Sequence, residues 1–215
     1  VLLQIGTRNA QNFELLKAVG RQQEFPVLVK RGMGISLEES LLGAEYVASQ
    51  GNTRVVFCLR GVKTHLGEPH RNLVDFALVP VVKRLTRLPV CVDPSHAVGS
   101  KHRAPDALSD VHHAAAMGAV AGADMLLVDV HPHPKDALCD GPQALTLDRV
   151  VTEQQLGHSR SVLLAEPLGS SPGAAGGAVQ ARCRAKRRRA GRTAAVLCRG
   201  AGGQAGRSRG RGAAA

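Results

Sequence analysis

Residues 88–130 read LPVCVDPSHAVGSKHRAPDALSDVHHAAAMGAVAGADMLLVDV, and their pattern indicates the fold class. LPVCVD (88–93) and DMLLVDV (124–130) are nearly continuous apolar runs of strand length, and an Ala-rich segment at 107–121 between them favours a helix. Continuous apolar runs, as opposed to alternating ones, are typical of parallel strands that are buried on both faces. The stretch therefore predicts a strand–helix–strand unit of a parallel α/β sheet.

The same alternation of strand and helix occupies the preceding residues. Strands are predicted at VLLQIG (1–6), PVLVK (26–30) and RVVFCL (54–59), and helices at 12–19, at 72–85 with an internal Pro80, and from a capping box formed by Ser36 and Glu39 to about Ser49. These five βα units fit either an open doubly wound sheet or part of a (β/α)8 barrel. A complete barrel typically needs eight units and about 250 residues, and periodicity alone does not separate the two architectures.

Polar residues follow every predicted strand. The five strand ends carry Thr7-Arg8-Asn9, Lys30-Arg31-Gly32, Cys58-Leu59-Arg60-Gly61, Asp93-Pro94-Ser95-His96 and Asp129-Val130-His131-Pro132. Taken singly, a charged residue at a strand end is usually a solvated loop residue. Since the carboxyl ends of parallel strands meet at one edge, where α/β proteins bind ligands, five such ends predict a functional site.

Two sets of side chains are expected to converge at this edge. Arg8, Lys30 and Arg60 are three cations that suit a phosphate and a carboxylate, because arginine binds such groups bidentately. His96 and Asp129, with the nearby Asp140, offer one nitrogen and two carboxylates. Such a set suits a divalent metal such as Mn, Fe, Co or Zn that polarises a carbonyl group. The sequence therefore predicts a metal site beside an anion site.

Five motifs carry a family resemblance: QIGTRNAQNFELL, VLVKRG, CLRGVKT, VCVDPSH and VDVHPHPKDALCDGPQAL. They resemble the class I 3-deoxy-D-arabino-heptulosonate 7-phosphate (DAHP) synthases over residues 1 to about 150. The resemblance implies a (β/α)8 TIM barrel that condenses phosphoenolpyruvate with erythrose 4-phosphate, the first step of aromatic amino-acid synthesis. The related 3-deoxy-octulosonate 8-phosphate synthases are the alternative, but residues 5–16 favour the heptulosonate enzymes because the octulosonate enzymes have an apolar sequence where Arg8-Asn9 stand.

The resemblance also implies roles for particular residues. Phosphoenolpyruvate would be bound by Thr7, Arg8, Lys30 and Arg60, a divalent metal by His96, Asp129 and Asp140, and the catalytic residues would be Lys30, His96 and Asp140. It further implies a cytoplasmic enzyme that is a homo-oligomer when intact and has no membrane partner. Two features depart from the family. Asp129 stands where a metal-binding Glu is usual, and the chain starts at the fourth barrel strand, without the family's metal-binding Cys and its Lys-Pro-Arg segment.

The basic charge is confined to the end of the chain. The whole chain has a net charge of +11, but residues 1–150 hold 16 basic and 15 acidic residues, whereas residues 151–215 hold 12 and 2. We divide the chain into the carboxyl-terminal part of a DAHP synthase barrel, fourth to eighth βα units, at 1–168, and a disordered Gly/Ala/Arg-rich tail at 169–215. The tail has few apolar residues with which to form a core. Its Gly/Ala/Arg/Pro composition is typical of a GC-rich gene read out of frame.

A nucleic-acid-binding tail is the alternative from another functional class, since Arg- and Gly-rich segments bind phosphate backbones through charge. It is less favoured because no aromatic residue is interleaved: the five aromatic residues of the chain all precede residue 77. The five cysteines are sparse, which is typical of a reduced cytoplasmic protein, and Cys58 and Cys91 are predicted to be small core residues. A chain that begins with Val1 at a fourth strand is expected to be a truncated, inactive form.

Overall fold

The computed structural model describes residues 1–100, 102–146 and 149, together with the backbone of three strands in the remaining part of the chain. The strands are β1 (Leu2–Ile5), β2 (Val27–Lys30), β3 (Val55–Leu59), β4 (Val90–Val92), β5 (Met125–Asp129), β6 (Ser161–Ala165), β7 (Gln180–Ala185) and β8 (Ala194–Gly200). The helices are α1 (Phe13–Arg21), α2 (Leu37–Ala48), α3 (Val79–Thr86), α4 (Pro94–Val98) and α5 (Asp110–Val120). No helix among the described residues is long and apolar enough to span a membrane.

Strands β1 to β5 form a curved parallel sheet in sequence order, which confirms the predicted succession of βα units. Neighbouring strands are in register near their carboxyl ends: Lys30 pairs with Cys58, and Leu59 pairs with Val92. The residues that follow the strands therefore lie along one edge of the sheet. This arrangement is the one that a partial (β/α)8 barrel requires.

Two helices begin at side-chain caps, of which the cap of α2 is the predicted one. Ser36 and Glu39 form a reciprocal capping box at the start of α2, and the side chain of Asn12 accepts a hydrogen bond from the backbone of Leu15 at the start of α1. The helix expected over 72–85 is shorter, because residues 72–75 are not helical and a 3-10 turn precedes α3. Pro80 lies in the first turn of α3, where its missing N–H costs nothing, so it starts the helix and does not kink it.

The apolar residues form two layers. The larger cluster lies between the outer faces of the strands and the helices, and it includes fully buried Leu16, Phe57 and Val92. A smaller cluster on the other face of the sheet contains Leu2, Leu28, Cys58, Cys91 and Leu127. Cys58 and Cys91 are both free thiols with no exposed surface, which confirms that they are core residues.

The last three strands complete the sheet. Strand β6 is parallel to β5, β8 pairs with β6, and β7 is antiparallel to both β8 and β1, which closes the barrel. Strands β7 and β8 lie within residues 169–215. Strand β6 covers the edge of β5, and β7 covers the edge of β1, so neither edge of the five-stranded sheet stays unpaired. The remaining residues of the tail, including 186–189 and 201–215, lie outside the described residues.

Candidate active site

The carboxyl ends of β2 to β5 bring the predicted residues to one rim. Lys30 is the last residue of β2, Asp129 is the last residue of β5, and Arg60 directly follows β3. His96 lies in α4, a single helical turn that begins directly after β4, and the Asp93 side chain caps this turn by accepting a hydrogen bond from the His96 backbone N–H at 3.0 Å. The cap therefore fixes the position of His96 relative to the sheet.

Lys30 is held by a buried ion pair. Its Nζ lies 2.6 Å from Oδ2 of Asp93, and both side chains are almost completely shielded from solvent. Burial alone would lower the pKa of Lys30, but Asp93, with smaller contributions from Cys58 and Asp129, outweighs it, and the pKa of Lys30 is raised. Lys30 therefore remains a cation at neutral pH.

Arg60 is a buried guanidinium with unused hydrogen-bond donors. The residue is 1% exposed, and its Nε and Nη1 have no hydrogen-bond partner among the described residues. Burial lowers the pKa of Arg60, against the opposing effect of Asp93, and the neighbouring Arg71 lowers it further. Buried donors without hydrogen bonds are costly, so two such donors on a cation indicate a place for an anion.

A second buried ion pair lies next to Lys30 and Arg60 in the chain. Arg31 Nη1 lies 2.7 Å from Oδ2 of Asp75, and Oδ1 of Asp75 accepts a hydrogen bond of 2.8 Å from the backbone N–H of Gly61. One carboxylate thus joins the residues that follow Lys30 and Arg60 in the chain. Asp75 could not be recognised from the sequence, because it lies in a segment whose pattern predicts a helix.

His96, Asp129 and Asp140 come together as predicted. Their ligand atoms all lie within 4.8 Å of one another, and within the described part of the chain this is the one group of acidic, His or Cys side chains with such spacing. Nδ1 of His96 is 3.4 Å from Oδ2 of Asp129, and Nε2 is 3.9 Å from Oδ2 of Asp140. Burial raises the pKa of Asp129, opposed by His96 and reinforced by Asp93. A bound cation would relieve this burial penalty.

Gln143 joins the two carboxylates of this group. Its Nε2 donates to Oδ2 of Asp129 and to Oδ1 of Asp140, both at 3.0 Å, and the residue is 2% exposed. Ser95 fixes the same strand end, since its hydroxyl oxygen accepts a hydrogen bond of 3.0 Å from the backbone N–H of Asp129. Gln143 is not among the predicted site residues, and its position three residues after Asp140 is the one signal of it in the sequence.

Asp140 also faces a further cation. Arg71 Nη1 lies 3.7 Å from Oδ1 of Asp140, and both side chains are partly exposed. Arg71 lies in the loop between β3 and α3, so sequence spacing from the strand ends gave no indication of it. Arg71 is close enough to Arg60 for its charge to lower the pKa of Arg60, and it extends the basic surface of the site toward Asp140.

Thr7 and Arg8 occupy the 3-10 turn after β1 at the same edge. The hydroxyl of Thr7 donates to the backbone carbonyl oxygen of Arg31 at 2.5 Å, so Thr7 connects this turn to the residue that follows Lys30. Arg8 is exposed, and no acidic side chain of the described ranges forms an ion pair with it. The structure therefore places Arg8 at the rim without fixing its guanidinium group.

Comparisons with known proteins agree with this geometry. The sequence profile of the family described as "DAHP synthetase I family" matches residues 1–166. A phospho-2-dehydro-3-deoxyheptonate aldolase from Thermotoga maritima is 42% identical over 147 residues, which are 68% of this chain and 41% of the relative. A 2-dehydro-3-deoxyphosphooctonate aldolase from Syntrophotalea carbinolica is 35% identical over 154 residues, which are 69% of this chain and 53% of the relative.

Two solved structures show the same relationship. The crystal structure of the phospho-2-dehydro-3-deoxyheptonate aldolase (DAHP synthase) of Thermotoga maritima matches with a TM-score of 0.65 and 40% identity, over 72% of this chain and 43% of that one. A truncated form of the 3-deoxy-D-arabino-heptulosonate 7-phosphate synthase from the same organism matches with a TM-score of 0.63 and 39% identity, over 72% and 55% of the two chains. This chain therefore spans about half the length of these relatives, or less.

Proposed function

Because the chain belongs to the DAHP synthetase I family, we propose that it supplies the carboxyl-terminal half of the active site of a DAHP synthase. The proposed reaction condenses phosphoenolpyruvate with erythrose 4-phosphate and releases phosphate. Family membership and the enzyme class rest on the sequence match, whereas the activity and the substrates are proposals because the chain covers 41% of its Thermotoga maritima relative.

The observation that carries the proposal is the buried Arg60 guanidinium, whose Nε and Nη1 lack partners among the residues that the structure describes. With Lys30 on the neighbouring strand it supplies two cations that would bind the phosphate and carboxylate of phosphoenolpyruvate. Arg8, at the end of β1, would add a third cation when its side chain turns toward the site. Thr7 would hold the turn that carries Arg8 against the backbone of Arg31.

The residues of the metal-type group fit a divalent ion. One imidazole nitrogen and two carboxylates within 4.8 Å form a borderline N/O donor set, so Mn, Fe, Co or Zn are candidates. His96, Asp129 and Asp140 would hold the ion, and a metal there supplies Lewis-acid polarisation of the aldehyde of erythrose 4-phosphate. Asp129 is one methylene shorter than the Glu typical of the family, and its bond from Gln143 fixes where its carboxylate lies.

Residues of this chain would keep a positive charge beside the substrate and would orient the imidazole of His96. Lys30 stays protonated at Nζ because Asp93 raises its pKa, so it would remain a cation beside the substrate anion throughout the reaction. The Asp93 carboxylate would hold the imidazole of His96 by accepting a hydrogen bond from its Nδ1–H, at 2.9 Å. Lys30, His96 and Asp140 are accordingly the residues that we propose to be catalytic.

Comparison of the two enzyme classes favours the heptulosonate reaction. The heptonate aldolase of Thermotoga maritima is 42% identical to the chain, whereas the octonate aldolases are 30–35% identical. A cytoplasmic location and a homo-oligomeric intact enzyme remain parts of the proposal. The nucleic-acid alternative depends on the basic tail, most of which lies outside the described residues.

Calorimetric titration of the chain with phosphoenolpyruvate and with Mn²⁺ tests the proposal. We expect both to bind, and we expect His96→Ala to abolish Mn²⁺ binding, whereas the control His113→Ala, in which an exposed histidine of α5 is replaced, should bind normally. Phosphate release that requires erythrose 4-phosphate and metal would establish the reaction, and the carbon number of the product would separate the heptulosonate from the octulosonate enzyme. Absence of phosphoenolpyruvate binding would contradict the proposal.

A further inference from the structure

The Asp93 carboxylate lies between the anion half of the site, which contains Lys30 and Arg60, and the metal half, which contains His96, Asp129 and Asp140. Its side chain has no exposed surface, and its Oδ2 accepts a hydrogen bond from Nζ of Lys30 at 2.6 Å. The same Oδ2 is 2.9 Å from Nδ1 of His96. A single buried carboxylate thus contacts one residue of the anion half and one residue of the metal half.

Lys30 and His96 compete for the Asp93 carboxylate. The ammonium group of Lys30 bonds to Oδ2, and the imidazole Nδ1, which also lies 3.1 Å from Oδ1, bonds to the same carboxylate. A stronger bond to one group therefore weakens the bond to the other. When Nδ1–H of His96 donates to Asp93, Nε2 keeps its lone pair, and this nitrogen faces Asp140 at 3.9 Å. The state of the Asp93 bond therefore influences how well His96 can act as a ligand.

An anion that binds Lys30 changes this balance. It attracts the ammonium group away from Asp93, and the carboxylate then accepts a stronger hydrogen bond from Nδ1–H of His96. A more strongly held Nδ1–H makes Nε2 a better electron donor. In the opposite direction, a cation on Nε2 makes Nδ1–H a stronger donor to Asp93, which frees the charge of Lys30 for an anion.

We propose that Asp93 couples the two halves of the site, so that an anion on Lys30 and a divalent metal on His96 each strengthen the binding of the other. This inference rests on the proposed function, because both halves must bind their ligands. Thermodynamic linkage requires the same factor in both directions, and such factors are commonly about 5–150-fold. Asp93 is a positioning residue in this scheme, since it acts through Lys30 and His96.

The experiment measures the Mn²⁺ dissociation constant of the full chain with and without saturating sulfate, which serves as the anion probe. We expect sulfate to tighten Mn²⁺ binding at least about 5-fold in the wild-type chain and less than about 2-fold in Asp93→Asn. Asp124→Asn is the matched control, because Asp124 directly precedes β5, at the opposite end of that strand from Asp129, and pairs with Lys83. This control should keep the wild-type factor.

The outcomes separate this inference from the proposed function. A wild-type chain that binds neither Mn²⁺ nor sulfate contradicts both. A chain that binds both ligands without coupling, or with coupling that persists in a folded Asp93→Asn variant, overturns this inference alone.

A second measurement needs no change at Asp93 and therefore stands if that variant does not fold. In the metal-free wild-type chain, sulfate should move the Nδ1–H proton resonance of His96 downfield, because the hydrogen bond to Asp93 strengthens. The resonance is assigned by its absence in His96→Gln. A resonance that does not move at sulfate saturation refutes the coupling.

Discussion

Replacement of Arg60 by Met should separate ligand binding from stability. Arg60 is 1% exposed, and two donor atoms of its guanidinium lack partners within the described part of the chain. Each such buried donor costs about 1–3 kcal/mol. Loss of the attraction to Asp93 and Asp75 offsets part of this gain. We therefore expect the free energy of unfolding of Arg60→Met, without ligand, to be higher than that of the wild-type chain or lower by no more than about 1 kcal/mol.

Arg31→Met is the matched control. Arg31 is 5% exposed and directly follows β2, as Arg60 directly follows β3. The Nη1 of Arg31, however, is paired with Asp75 at 2.7 Å. Removal of one partner of a buried ion pair costs about 3–5 kcal/mol, because the other charge is left unpaired. Two arginines of similar burial should therefore respond in clearly different ways to the same substitution.

Urea unfolding and thermal scans with phosphoenolpyruvate provide the assay. A ligand at 100 times its dissociation constant adds about 2.7 kcal/mol of stability. For a chain of this size that corresponds to an increase in Tm of about 5–10 °C. We expect this increase in the wild-type chain and none in Arg60→Met. The reasoning fails if Arg60→Met is destabilised as much as Arg31→Met, or if it keeps the ligand-induced increase.

Three further predictions concern other parts of the site. Gln143→Leu removes the amide that joins Asp129 and Asp140, and calorimetry should show Mn²⁺ affinity reduced by about 10–100-fold; unchanged affinity would mean that the carboxylates need no such support. Lys30 and His96 outweigh burial and hold the pKa of Asp93 below its usual value. The ionised Asp93 carboxylate therefore stabilises the fold above about pH 4, and this stabilisation is lost as the pH falls through the lowered pKa. The stability difference between wild type and Asp93→Asn in urea should therefore shrink in acid, and a constant difference would contradict this. Gly61→Ala should cost about 1–3 kcal/mol, because φ is +81° and a Cβ would lie 2.7 Å from Cβ of Asn72, whereas Gly6→Ala, with no atom within 4 Å, should be nearly neutral in the same urea titration.

Much of the fold could be predicted because the strands are buried on both faces. Their nearly continuous apolar runs, such as those within 54–59 and 124–130, set the strand positions to within a residue or two. The start of α3 was placed too early because an apolar run at 72–79 resembles a helix, while Pro80 marked the true first turn. Pairing of β7 with β1 could not be predicted, since it depends on partners distant in sequence and not on local pattern.

Some residues of the candidate site could likewise be predicted from the sequence, and others could not. Lys30, Arg60, His96 and Asp129 were predicted because a strand end fixes which edge a residue occupies. Asp75, Gln143 and Arg71 were missed because they reach the site from loops, where sequence spacing says little about direction. The role of Asp93 needed distances, since its position beside His96 in sequence does not reveal its contact with Lys30, 63 residues away.

The barrel interior contains two neighbouring thiols that make its opening measurable. Cys58 and Cys91 are paired in register on β3 and β4 and have no exposed surface, whereas Cys139 is exposed. A thiol reagent should therefore modify Cys139 at once but reach the interior pair only when these strands separate. Mass spectrometry of the peptides that contain each of the three thiols would then give the opening rate of the sheet beneath the active-site rim, with Cys139 as the internal reference.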